Sequence, residues 1–178
     1  RAGVKPEEVD DVILGCCRHA GNGTNPGRTA TRLAGIPANV PAVTVTMACA
    51  SGMRAVMMAA QALQLGDARF VVAGGMESMT NAPYVLPKMR GGARLGHGHV
   101  IDHMFLDGLE DAYDKGRLMG TFAEDCAETF QFTRAVQDDY ALASLSRALE
   151  AQSSGAFDGE IAAVDLKSRK GSVTILSL

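Results

Sequence analysis

Cys49 stands between two different kinds of sequence. Before it, AVTVTM (42–47) carries β-branched residues in series; after it, SGMRAVMMAAQAL (51–63) carries apolar residues at helical spacing. A thiol at a strand-to-helix junction lies at the positive end of the helix dipole, which favours the thiolate. The N–H groups of that first turn have no intrahelical acceptor and can hold an oxyanion. Ala48, Ala50, Ser51 and Gly52 are all small, so an acyl group can approach closely. Strand, nucleophile and small-residue helix start follow the logic of a nucleophile elbow. Against this stands a plain packed thiol, because free cysteine is among the most buried residue types. Local sequence leaves both readings open.

The other candidate groups are weaker. HGH (97–99) together with His103 would suggest a metal site, but the spacing fits no structural zinc pattern and no cysteine or carboxylate pair accompanies it. The expectation is no metal, with His19, His97, His99 and His103 in solvated loops or subunit contacts. VVAGGMES (71–78) lacks a GxGxxG pattern or a P-loop lysine, so its glycine pair reads as a close backbone passage rather than a phosphate cradle. Lys88, Arg90, Arg94, Lys167, Arg169 and Lys170 are solvated charges or contacts to a polyanionic cofactor such as a phosphorylated nucleotide. Cys16, Cys17 and Cys126 sit at no comparable helix start and read as structural.

The elements that must position Cys49 follow from periodicity. DDVILGCC (10–17) reads as a strand, AGNGTNPGR (20–28) as a loop, and RTATRLAGI (28–36) as a short helix ended by Gly35 and Pro37. AVTVTM is expected as a buried strand. The helix from Ser51 to Leu65 would turn Met53, Val56, Met57, Ala60 and Leu63 to one side, with Gly66 after its end. RFVVAGGMES (69–78) reads as another buried strand. Strand–helix–strand–helix–strand implies an α/β fold with parallel pairing. From about Thr80 the Gly-, Pro- and base-rich stretch NAPYVLPKMRGGARLGHGHV is too long for a simple connection. Helical patterns return at 101–109, 119–130 and 134–153, the last with Thr133 as N-cap and Gly155 at its end, followed by strand patterns to the C-terminus.

Composition narrows the function class. The 178 residues are 47% hydrophobic with a net charge of −3, which gives a real core and no basic surplus for nucleic acid. No apolar run reaches the ~18 residues of a membrane span. RAGVKPEEVD has no signal-peptide core and no initiating Met, so the expectation is a cytoplasmic protein with reduced thiols, recorded as a piece of something longer.

CASGMRA (49–55), VVAGGMESMTNAPY (71–84), GNGTNPGR (21–28) and MGTFAEDCAE (119–128) together resemble the thiolases, in particular their acetyl-CoA acetyltransferase branch. The resemblance runs from about Glu8 to Gly171. It implies an α/β thiolase-like N-terminal domain, a mixed sheet with helices on its faces, carrying an inserted loop domain. Residues 1–79 would be part of that α/β domain without its first strand and helix, and 80–178 the loop domain. PKMRGGARLGHG, within about 86–98, resembles the segment through which thiolase dimers form tetramers, so a homodimer or homotetramer is implied. Cys49 matches the acyl-accepting nucleophile, and its own N–H one oxyanion donor. Met119 matches a methionine lining the acyl pocket; Leu118 stands where many acetoacetyl-CoA thiolases carry histidine. A second cysteine, an activating histidine and a water-holding asparagine belong to the C-terminal half, which is expected to lie outside this chain.

The implied function is acyl transfer. An acyl group passes through Cys49, with reversible Claisen condensation of acetyl-CoA with an acyl-CoA, or thiolysis of a 3-ketoacyl-CoA, in fatty acid metabolism. Coenzyme A thioesters are the substrates, and no covalently bound cofactor is expected. The alternative is that this chain alone is a catalytically incompetent fragment, at most an acyl-CoA-binding or dimerisation module. A non-catalytic lipid carrier is the weaker option, since a carrier has no use for a thiol at a helix tip.

Overall fold

The computed structural model describes residues 2–168 and 171–175. They fall into two compact units, Arg1–Thr121 and Phe122–Leu178.

The first unit is built on three strands, β1 (Asp11–Gly15), β2 (Ala42–Val45) and β3 (Val71–Gly75), paired in parallel in the order β2-β1-β3. β1 is central, and its alternating side chains serve two faces. Val12 packs with Val9, Ile36 and Val40 on one face; Ile13 packs with Ala55 and Ala59 on the other. Helix α1 (Pro26–Leu33) joins β1 to β2, and helix α2 (Ser51–Leu65) joins β2 to β3. The α/β class with parallel crossovers is therefore as expected.

Several local expectations change. α1 begins at Pro26, two residues before the start that RTATRLAGI suggested. Asn25 is the reason: its side chain accepts the Arg28 N–H at 3.0 Å, and Pro26 supplies a ready first turn. β2 is only half-buried, with Val43 39% exposed, because it forms the sheet edge. α2 has the expected span and ends at left-handed Gly66 (φ 77°). Its buried face, however, is Ser51, Ala55 and Ala59, while Met53 stays 61% and Val56 54% exposed. The helix start lies so close to Gly15 that only small residues fit beneath it.

The helix expected over 101–109 does not form as one α-helix. Ile101 and Asp102 form β5 (Ile101–Asp102), antiparallel to β4 (Tyr84–Val85), and a single π-helical turn follows at Phe105–Leu109. The Asp102 carboxylate receives the Met104 N–H at 2.8 Å and fixes that transition.

The second unit holds α4 (Arg134–Ser153) and an antiparallel hairpin of β6 (Val164–Ser168) and β7 (Gly171–Ile175); α3 (Gly120–Thr129) spans the boundary between the units. Thr133 caps α4 as expected, accepting the Val136 N–H at 3.3 Å. No helix among the described residues is long and apolar enough to cross a membrane.

Candidate active site

β1 and β2 are neighbours, yet the chains leaving their C-terminal ends go to opposite faces of the sheet. After β1 the chain turns to the Val12 face, where Gly27 of α1 meets Thr44; after β2 it turns to the Ile13 face, where α2 packs. Such a divergence opens a crevice at the carboxyl ends of the strands, the place where open α/β sheets bind ligands. A cavity of about 640 Å³ lies there. The end of β1 lines it with Gly15, Cys17 and Arg18, the β2–α2 junction with Ala48, Cys49, Ser51 and Met53, and the end of β3 with Gly75, Met76 and Glu77. Gly108 and Leu109 of the π-helical turn complete it.

Cys49 is exposed to this cavity rather than packed in the core. The residue before it, Ala48, has φ 46°, a left-handed conformation uncommon for a residue with a Cβ and often stored at functional sites. Three donors converge on the Ala48 carbonyl: the Ser51 N–H at 3.1 Å, the Ser51 hydroxyl at 2.6 Å and the Cys17 thiol at 2.6 Å. The Ser51 hydroxyl in turn accepts the Met47 N–H at 2.8 Å. Ser51 is 4% exposed, so these bonds are shielded from water. The turn that presents Cys49 is thus held from both sides.

The start of α2 is left open. Ala50 occupies the N-cap position and offers no side-chain acceptor. Among the described residues nothing accepts the N–H groups of Cys49, Gly52 or Met53. Uncapped donors at the positive end of a fifteen-residue helix suit a developing oxyanion beside the thiol.

The glycines at the strand ends make this approach possible. A Cβ on Gly15 would meet the Ser51 carbonyl carbon at 2.5 Å and the Gly52 nitrogen at 2.6 Å; one on Gly75 would meet the Gly15 oxygen at 2.8 Å. Of the glycine pair in VVAGGMES, Gly75 makes the close backbone passage, whereas a Cβ on Gly74 would meet only Leu14 Cδ2 at 4.0 Å.

Glu77 is the organising residue that sequence reading missed. Its carboxylate accepts the Cys17 N–H at 2.8 Å, the Arg18 N–H, and the Cys16 thiol at 3.5 Å, so it ties the end of β3 to the loop after β1. Burial works against its charge, but the backbone N–H groups of Cys17 and Arg18, with the Cys16 thiol and the Arg18 charge, hold the carboxyl below its usual range. Burial, reinforced by the adjacent Glu77, pushes the Cys16 thiol up. An acid two residues past the β3 strand end was the available signal.

The remaining candidates sit elsewhere. Met119 is half exposed and is not among the residues lining the cavity; its N–H donates at 2.9 Å to the carbonyl of Leu109, which does line it. Leu118 pairs with Glu110 in an isolated bridge. His19, His97 and His99 are exposed, but His103, expected in a solvated loop or subunit contact, is 8% exposed, with Nδ1 2.6 Å from the Asp107 carboxylate. Among the described residues no three His, Cys, Asp or Glu side chains form a metal-binding group. Lys88, Arg90 and Arg94 are exposed; Arg169 and Lys170 lie outside the described residues, as does the side chain of Lys167. Cys126 is exposed on α3, whereas Cys16 and Cys17 take part in the hydrogen bonds above.

Comparison with known proteins places this geometry. The sequence model of the family described as "Thiolase, N-terminal domain" matches residues 1–177. The chain is 49% identical over 171 residues to the acetyl-CoA acetyltransferase of Cupriavidus necator, covering 96% of this chain and 43% of that protein. It is 50% identical over 172 residues to acetyl-CoA acetyltransferase 2 of Arabidopsis thaliana, covering 96% and 42%. The crystal structure of the Bacillus anthracis acetyl-CoA acetyltransferase superposes with a TM-score of 0.91 at 43% identity, covering 98% of this chain and 44% of that one. The chain thus spans less than half the length of the relatives it matches.

Proposed function

The chain belongs to the thiolase family, and on that premise we propose that the full-length protein is an acyltransferase working through an acyl-enzyme on Cys49. The sulfur attacks the carbonyl of acetyl-CoA, the carbonyl π electrons move to oxygen, and collapse of that oxyanion expels the CoA thiolate. The acetyl group, or a longer acyl group loaded from its own thioester in the same way, then passes to the α-carbon of an acetyl-CoA as that carbon gives up its proton to a base; the new carbon–carbon bond forms as the Cys49 thiolate leaves. Run backwards, this is thiolysis of a 3-ketoacyl-CoA. The observation that carries the reading is the exposed Cys49 at the uncapped head of α2, facing the cavity at the sheet's switch point.

Met119 is proposed to line the acyl pocket, its backbone anchored on Leu109. Residues 1–79 are proposed as part of the α/β domain and 80–178 as the loop domain, with about 86–98 as a tetramer-forming segment of a homodimer or homotetramer. Four unpaired cysteines support a reducing, cytoplasmic setting, and the chemistry fits fatty acid metabolism.

A second reading has its own support. Among the described residues no histidine lines the cavity, so this segment alone offers an acyl acceptor without an evident base. By itself it would bind acyl-CoA or associate with another copy without turning over. The test is incubation of the full-length protein with acetoacetyl-CoA and CoA, following thioester absorbance. Turnover that disappears in Cys49→Ala supports the proposal; no turnover, or turnover that survives the substitution, overturns it.

A further inference from the structure

We propose that Arg18 is a specificity-determining residue of the Cys49 cavity and that it pairs with a carboxylate at the far end of the acyl chain. The preferred thioester would then be that of a dicarboxylic acid. This rests on the acyl-transfer reading above.

Arg18 is the cation that lines the cavity, whose other walls are almost wholly small or apolar. Glu77 is the anion, but it is already engaged: one carboxylate oxygen takes the Cys17 N–H, and the other takes the Arg18 N–H and the Cys16 thiol. Arg18 is therefore held by its backbone; its charge acts on Glu77, but among the described residues its guanidinium makes no hydrogen bond and no direct ion pair. The guanidinium lies against the backbone of Gly108. A Cβ there would come within 2.8 Å of Cζ and Nη2 and 2.9 Å of Nε. The π-helical turn thus supplies a flat backbone seat, and a side chain at Gly108 would make the guanidinium shift.

A half-buried guanidinium whose donors have no acceptor is better satisfied when an anion meets it. Its planar fork matches a carboxylate with two parallel hydrogen bonds. The acyl group must lie in the same cavity, since Cys49 lines it too, and about 640 Å³ accommodates more than an acetyl group. The phosphates of coenzyme A would answer the same chemistry, but they sit at the far end of a long arm from the thioester carbon. A methyl-ended acyl chain would leave the guanidinium unpaired, and sites built around a polar contact reject analogues that lack it.

The experiment compares the full-length protein on acetoacetyl-CoA, 3-oxohexanoyl-CoA and 3-oxoadipyl-CoA. The last two have equal chain length and differ in ending on methyl or carboxylate. The expected result is a kcat/KM about 10–100-fold higher for the carboxylate-ended substrate, within the range that one charged contact provides. Arg18→Gln should erase that ratio, mainly through KM, and Arg18→Lys should retain part of it. Equal or reversed preference in the wild type overturns the proposal without any variant. So does an Arg18→Gln effect of the same size on all three substrates, which would indicate a CoA phosphate contact. Absence of turnover on every substrate overturns the acyl-transfer reading itself, and this inference with it.

Discussion

The Cβ that Gly15 lacks would sit 2.5 Å from the carbonyl carbon of Ser51. The last residue of β1 thus fixes how closely α2 can approach the sheet, and with it where Cys49 stands. Gly15→Ala would push the helix start away against backbone rather than against a pliable side chain. We expect a loss of about 1–3 kcal/mol in denaturant unfolding, typical of overpacking, together with slower reaction of Cys49 with iodoacetamide. Unchanged stability and labelling would show that the junction yields without consequence.

Ser51 holds the strained turn. Its hydroxyl donates to the Ala48 carbonyl and accepts the Met47 N–H at 4% exposure. Ser51→Ala leaves that N–H without its acceptor, which costs about 1–3 kcal/mol. A displacement of Cys49 by about 1 Å can lower kcat on the order of 100-fold. The measurement is kcat and KM on acetoacetyl-CoA, with kcat falling much more than KM.

Asn25 separates fold from chemistry. Its side chain caps α1 by accepting the Arg28 N–H, accepts the Thr44 hydroxyl at 2.5 Å, and donates to the Ala42 carbonyl at 3.1 Å. Asn25→Ala should cost about 0.5–2 kcal/mol as a lost cap. Thermal melts should show the loss, while the labelling rate of Cys49, on the opposite face of the sheet, stays close to wild type.

How far the fold and site could be read from sequence depended on range. The α2 span and its Gly66 stop were legible because helical spacing and capping are local signals. The buried face of α2 was not. Met53 and Val56 look like core residues, but the helix lies against Gly15, and only Ala55 and Ala59 fit beneath it. Cys49 was visible as a junction thiol. Glu77 was not, because its bonds to Cys16, Cys17 and Arg18 span about sixty residues and leave no periodic trace. His103 looked like part of a solvated HGH-type loop until Asp107, one helical turn on, was seen to pair with it.

Glu77 and Asp10 should make stability depend on acid. Asp10 accepts the Arg69 and Phe70 N–H groups, and these bonds hold its carboxyl below 3.8; Glu77 is held below 4.5. Folding lowers both, so their contribution is present above those ordinary values and is lost as pH falls below them through the folded values. Thermal melts from neutral pH downward should show stability declining below about pH 4.5, with the decline shallower in Glu77→Gln. An identical decline in the variant would remove Glu77 from the account. The Cys16 thiol, pushed up by burial and Glu77, should be the last of the four cysteines alkylated near neutral pH.

The central claim is that Cys49 carries the acyl group. Its most direct test is mass spectrometry of the full-length protein, acid-quenched after brief exposure to acetyl-CoA and digested. The account predicts acetyl on the peptide containing Cys49, lost when CoA is added back and absent in Cys49→Ala. Acetyl on Cys17 or Cys126 instead, or a Cys49→Ala protein that still exchanges acetyl with CoA, would contradict it.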